Sequence, residues 1–82
     1  MSSVKFNNTI HQGKVFEGMG NKNYDNKKYD QALKCYDVAI TFYSRASKMA
    51  KNEEDKQLAN ELINGCENLV LAVNFDKENC KY

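Results

Sequence analysis

Among the side chains able to do chemistry, the only histidine is His11, and no cysteine or carboxylate pattern around it has metal-ligand spacing. It reads as a solvated side chain. The three cysteines, Cys35, Cys66 and Cys80, are odd in number, widely separated and in no CxxC arrangement. They indicate neither a disulfide framework nor a zinc site, and a reducing compartment is expected. Cys66 falls among apolar positions, where a thiol behaves as a small hydrophobe rather than a nucleophile. Gly18-Met19-Gly20 follows no strand, so it is not a phosphate cradle, and these glycines are expected at helix-packing positions instead. No catalytic, cofactor-binding or metal-binding residue is therefore assigned, and no small-molecule substrate is expected in a domain with room for one modest core.

Charge is equally uninformative about catalysis but excludes partners. Twelve basic residues against eleven acidic give no net field of the kind that nucleic acid or an anionic membrane selects. No segment approaches the ~20 apolar residues of a membrane span, and the start, MSSVKFNNT, has no signal-like apolar region. A cytoplasmic protein is expected, and use of the Asn7-Asn8-Thr9 sequon is not. With 41% hydrophobic residues and no proline, the 82-residue chain reads as a single folded helical domain.

Apolar spacing at three and four residues runs from about position 10 onward, predicting three helices. The first is expected over Thr9 to Asp25, with a stripe of Ile10, Gly13, Phe16, Gly20 and Tyr24. Its glycines each cost roughly 1 kcal/mol against alanine, so packing must hold it. Asp25-Asn26-Lys27-Lys28 supplies turn and capping side chains, and a second helix is expected from near Lys28 to about Lys51. It carries two stripes, one of Tyr29, Leu33, Tyr36, Ile40 and Tyr43, the other of Ala32, Cys35, Ala39, Phe42, Ala46 and Met49. An arc that wide needs two neighbours, which makes this helix central. Asn52 before Glu53, Glu54 and Asp55 starts the third helix, expected to about Phe75, with core residues Leu58, Leu62, Ile63, Cys66, Leu69, Val70 and Val73. Gly65 lies at the edge of that arc, where it would permit close packing. Short connections give an all-α, antiparallel up-down-up three-helix bundle over residues 9–77, with a flexible N-terminus at 1–8 and a flexible tail at 78–82.

One feature of this pattern points outward. Leu71 and Phe75, one turn apart, lie opposite the core arc beside Asn64, Glu67 and Asn68, as a contact surface would. The outer edge of the second helix, Val38, Phe42 and Met49 with Arg45 alongside, is expected to face them across a groove. Such a groove would take an amphipathic helix through anchors at i, i+3/i+4 and i+7, with Glu67 meeting a basic residue of the ligand.

The run Tyr29-Asp-Gln-Ala32 through Tyr36, Ala39, Ile40, Phe42, Tyr43, Ala46 and Lys48 to Asn52 resembles the second helix of MIT (microtubule-interacting and trafficking) domains. The third segment has apolar residues at the family's positions, and the resemblance covers about residues 10 to 77. It implies a module binding short amphipathic peptides, typically tails of ESCRT-type membrane-remodelling filament subunits, with recruitment to endosomal membranes or cytoskeleton through partners. Family members often join this domain to an AAA ATPase, protease or kinase. Where the best-known members place an apolar anchor on the third helix, this chain has Glu67. The same Tyr-Asp-x-Ala-x-x-x-Tyr-x-x-Ala spacing is also a tetratricopeptide (TPR) signature, which would imply a co-chaperone adaptor binding a C-terminal peptide. Apolar periodicity through Met49, the absence of a second complete repeat, and Glu17 where the carboxylate clamp expects lysine all depart from the TPR pattern.

Overall fold

A computed structural model describes residues 3–79 and comprises three helices, α1 (Val4–Asp25), α2 (Tyr29–Met49) and α3 (Glu53–Asn79). They form the all-α, up-down-up arrangement expected. The central element is α2, on which Ala32, Tyr36, Ala39, Tyr43 and Ala46 are wholly buried. Both other helices pack along it, whereas α1 and α3 approach one another closely at few backbone positions.

The first helix begins at Val4, not at Thr9. The Ser3 hydroxyl accepts from the Phe6 amide at 3.0 Å, satisfying one of the otherwise orphaned first-turn donors. Phe6 is only 1% exposed. Together with Ile10, one turn later, it extends the core stripe into the segment expected to be flexible.

At its other end α1 closes through the backbone. Lys27 N–H donates to Tyr24 O at 2.9 Å and Lys28 N–H to Asn23 O at 2.8 Å, a Schellman pair, with Lys27 in the left-handed region at φ 62°. Asn26 bonds back to Lys22 O at 3.0 Å. These turn residues therefore terminate α1 rather than cap α2, whose N-cap Lys28 makes no side-chain capping bond.

Asn52 does cap α3: the Asp55 amide donates to Asn52 Oδ1 at 2.8 Å, and the Asn52 side-chain amide reaches Asp55 Oδ2 at 3.3 Å. The helix then continues past Phe75 to Asn79, so Glu78 and Asn79 of the expected tail are helical, and 80–82 lie outside the described residues. Its buried line is Asp55, Ala59, Cys66 and Val73. Leu58, expected in the core, is 42% exposed because Ala59 takes the inward position at this end. Leu62, Ile63, Leu69 and Val70 are half-buried flanks of the core.

Two glycines let α1 and α2 meet. Gly20 lies under the Tyr36 ring so closely that an added Cβ would stand 2.6 Å from Cε1, and Gly13 lies closer still under Tyr43. Gly18 and Gly65, also expected at packing positions, face open space. Their helices make no close approach there.

Candidate functional site

The ridge of α2 that carries Leu33 and Ile40 meets the Val70 side of α3 without filling the space between them. A groove of about 660 Å³ results, floored by half-buried Leu33, Ile40 and Val70 and rimmed by Lys34 and Asp37 of α2 and Glu67, Leu71 and Asn74 of α3. Near the start of α2, Lys77 Nζ of α3 donates to Asp30 Oδ1 at 2.6 Å. Both side chains of that pair are well exposed, so it pins the helix ends without adding much stability.

Of the nine residues expected to form the peptide surface, the structure brings only Glu67 and Leu71 to this groove. Phe75, 68% exposed, stands on the outer face of α3 with Asn64 and Asn68 rather than lining the groove. Phe42 and Met49 lie on the other side of α2, against α1, with exposed Val38 and Arg45 on the same flank of the helix. The Phe42 ring stacks on Phe16 with centroids 5.8 Å apart, the Arg45 guanidinium sits 5.7 Å from the Phe42 centroid, and the Thr9 hydroxyl contacts Met49 Sδ at 3.8 Å. The reason is helix phase. Ile40 and Phe42 are two positions apart, about 200° around a helix, so one faces α3 when the other faces α1.

Leu33, Ile40 and Val70 are readable in the sequence as apolar, but periodicity places them with the core. Half-burial distinguishes a groove floor from a core residue, and periodicity carries no sign of it. Lys34, Asp37 and Asn74 gave no signal beyond being polar.

Side-chain hydrogen bonds tie α1 to both other helices. Glu17 Oε1 accepts from the Tyr43 hydroxyl at 2.8 Å and from Cys66 Sγ at 3.4 Å, and Tyr36 donates to Asn21 Oδ1 at 2.5 Å. Tyr24 donates to Asp76 nearer the end of α3. Burial, reinforced by the Glu17 carboxylate, pushes the Cys66 thiol up to about 12 and the Tyr36 phenol up to about 12, and raises Tyr43 further. A thiol so disposed stays protonated near neutrality and is a hydrogen-bond donor, not a nucleophile.

Among the described residues no three His, Cys, Asp or Glu side chains converge as a metal site, and no helix is long and apolar enough to cross a membrane. Comparison with known proteins returns no matching family model, no matching curated protein and no matching solved structure.

Proposed function

We propose that the chain is a non-catalytic protein-interaction module whose α2/α3 groove binds an amphipathic helical peptide carrying a basic residue. The observation that supports this reading is the groove itself: an apolar floor of Leu33, Ile40 and Val70 open to solvent along two helices, with carboxylates on both rims. Helix-in-groove recognition needs an apolar trough for anchors at i, i+3/i+4 and i+7. Asp37 from α2 and Glu67 from α3 outnumber Lys34 at the rim, which favours a ligand cation over an anion.

The resemblance of the second helix to MIT domains supports tails of ESCRT-type subunits as the ligand class, and association with endosomal membranes or cytoskeleton would follow from such a partner. Glu67, where those domains have an apolar anchor, changes the expected ligand: it should present a lysine or arginine at that point.

A synthetic amphipathic peptide of about four turns, with leucines at i, i+4 and i+7 and a flanking lysine, tests the reading by fluorescence anisotropy. Binding should be saturable, should weaken with salt, and should be lost in Leu71→Asp. A peptide bound equally well by wild type and Leu71→Asp would place the site elsewhere.

A further inference from the structure

Outside the groove the molecule carries two more partly apolar surfaces, and their residues match in kind and in spacing. The outer face of α3 presents a stripe at alternating three- and four-residue intervals: Glu61, Asn64, Asn68, Leu71, Phe75 and Glu78, all exposed. Leu71 is 67% and Phe75 68% exposed, the most exposed large apolar side chains of the helix. On the seam between α1 and α2, the α2 side presents Gln31, Cys35, Val38, Phe42 and Arg45 at the same intervals, with Lys28 at the N-cap continuing the series. Met19 of α1, 47% exposed, widens its apolar part.

Laid parallel, the stripes pair Glu61 with Lys28, Asn64 with Gln31, Asn68 with Cys35, Leu71 with Val38, Phe75 with Phe42, and Glu78 with Arg45. The outer charges of each stripe are separated by about 25 Å, from 1.5 Å of rise per residue, so both ends meet at once. We propose that the outer face of α3 docks on the α1/α2 seam of a second copy of this chain in this register. The occupant is a second copy because the two surfaces carry opposite charges, whereas α3 against α3 sets Glu61 and Glu78 against carboxylates and seam against seam sets Lys28 and Arg45 against cations. The parallel direction follows from the apolar pairs, since reversal would set Leu71 and Phe75 against Cys35 and Gln31. The interface joins unlike surfaces, so each copy keeps a free stripe and a free seam, and assembly proceeds as an open chain rather than a closed dimer. This inference stands apart from the peptide groove, with which it shares only Leu71.

Analytical ultracentrifugation of the full chain, wild type against Val38→Asp and Phe75→Asp, tests it. Both substitutions are at exposed positions, and circular dichroism checks that each variant is folded. The wild-type average mass should climb above the 9.4 kDa monomer, and past the dimer, as concentration rises, and should fall with salt. Each variant alone should associate at least about tenfold more weakly. Their equimolar mixture should recover a dimer and stop there, because one copy still has an intact seam and the other an intact stripe. If either variant fails to fold, Arg45→Glu and Glu78→Lys replace them: each alone should weaken association, and the chain carrying both should regain it. A wild type that stays monomeric, a mixture that stays monomeric, or a Phe75→Asp variant that associates like wild type would overturn the proposal, as would no recovery in the charge-swapped double variant.

Discussion

Gly13 of α1 lies hard against the Tyr43 ring of α2, and one heptad along each antiparallel helix Gly20 repeats the contact with Tyr36. The two couples set the register of α1 on α2. A phenol ring replaces the Cβ of each glycine, and the hydroxyls beyond the rings reach Glu17 and Asn21 of α1. Glycine's cost in a helix interior is thereby offset by aromatic burial.

Alanine at Gly13 or Gly20 should destabilise the protein by about 1–3 kcal/mol, since the wholly buried rings have little space to retreat. Alanine at Gly18 or Gly65, which face open space, should stabilise it by roughly 0.5–1 kcal/mol each through helix propensity alone. Urea denaturation of the four variants should divide them by sign, and the same sign at all four sites would contradict the packing described.

Lys27 holds a left-handed conformation without being glycine. Lys27→Gly should raise stability by about 1 kcal/mol, because an L-residue pays roughly that penalty at the position that closes α1. A thermal melt gives the result, and a lowered midpoint would mean that the Lys27 side chain contributes more than its backbone costs.

Tyr36→Ala should unfold the domain or come close to it, with a loss of about 3–5 kcal/mol, because the ring is wholly buried at the centre of α2. Leu62→Ala should cost much less, about 1 kcal/mol, because Leu62 is only half-buried. Similar losses at the two sites would place Leu62 deeper than its position on α3 gives it.

Alkaline pH should be the weak side of this fold. The Cys66 thiol and the Tyr36 and Tyr43 phenols titrate higher folded than their ordinary 9.0 and 10.0, chiefly through burial. The unfolded chain therefore releases these protons first. The stability linked to them is fully present below pH 9, and is lost as pH rises from there toward 12. Urea midpoints between pH 7 and 11 should fall steadily above 9, and Cys66→Ala should flatten the fall. A midpoint independent of pH would contradict the burial of these three groups.

The three-helix order, the central role of α2 and the Asn52 cap were legible in the sequence, because apolar periodicity and capping chemistry are local. The start of α1 was less so: Phe6 belongs to the same stripe as Ile10, but an isolated aromatic before the periodic run carries weight only once Ser3 is seen to cap it. The site was half legible. Exposure of Leu71 and Phe75 followed from helix phase, yet which side of α2 faces α3 depends on the mutual rotation of the helices. The Gly13 and Gly20 contacts with Tyr43 and Tyr36 fix that rotation for α1, leaving Phe42 to α1 and Ile40 to α3. No periodicity within one helix encodes this.

The most direct test of the α2/α3 groove as the peptide site is backbone amide NMR of the labelled chain during titration with the amphipathic, lysine-bearing peptide. At concentrations where the chain is monomeric, shifts should concentrate at Leu33, Asp37, Ile40, Glu67, Val70 and Leu71, while Val38, Phe42 and Arg45 remain unchanged. Shifts centred on Phe16, Phe42 and Arg45 instead, or no saturable change at any residue, would contradict it.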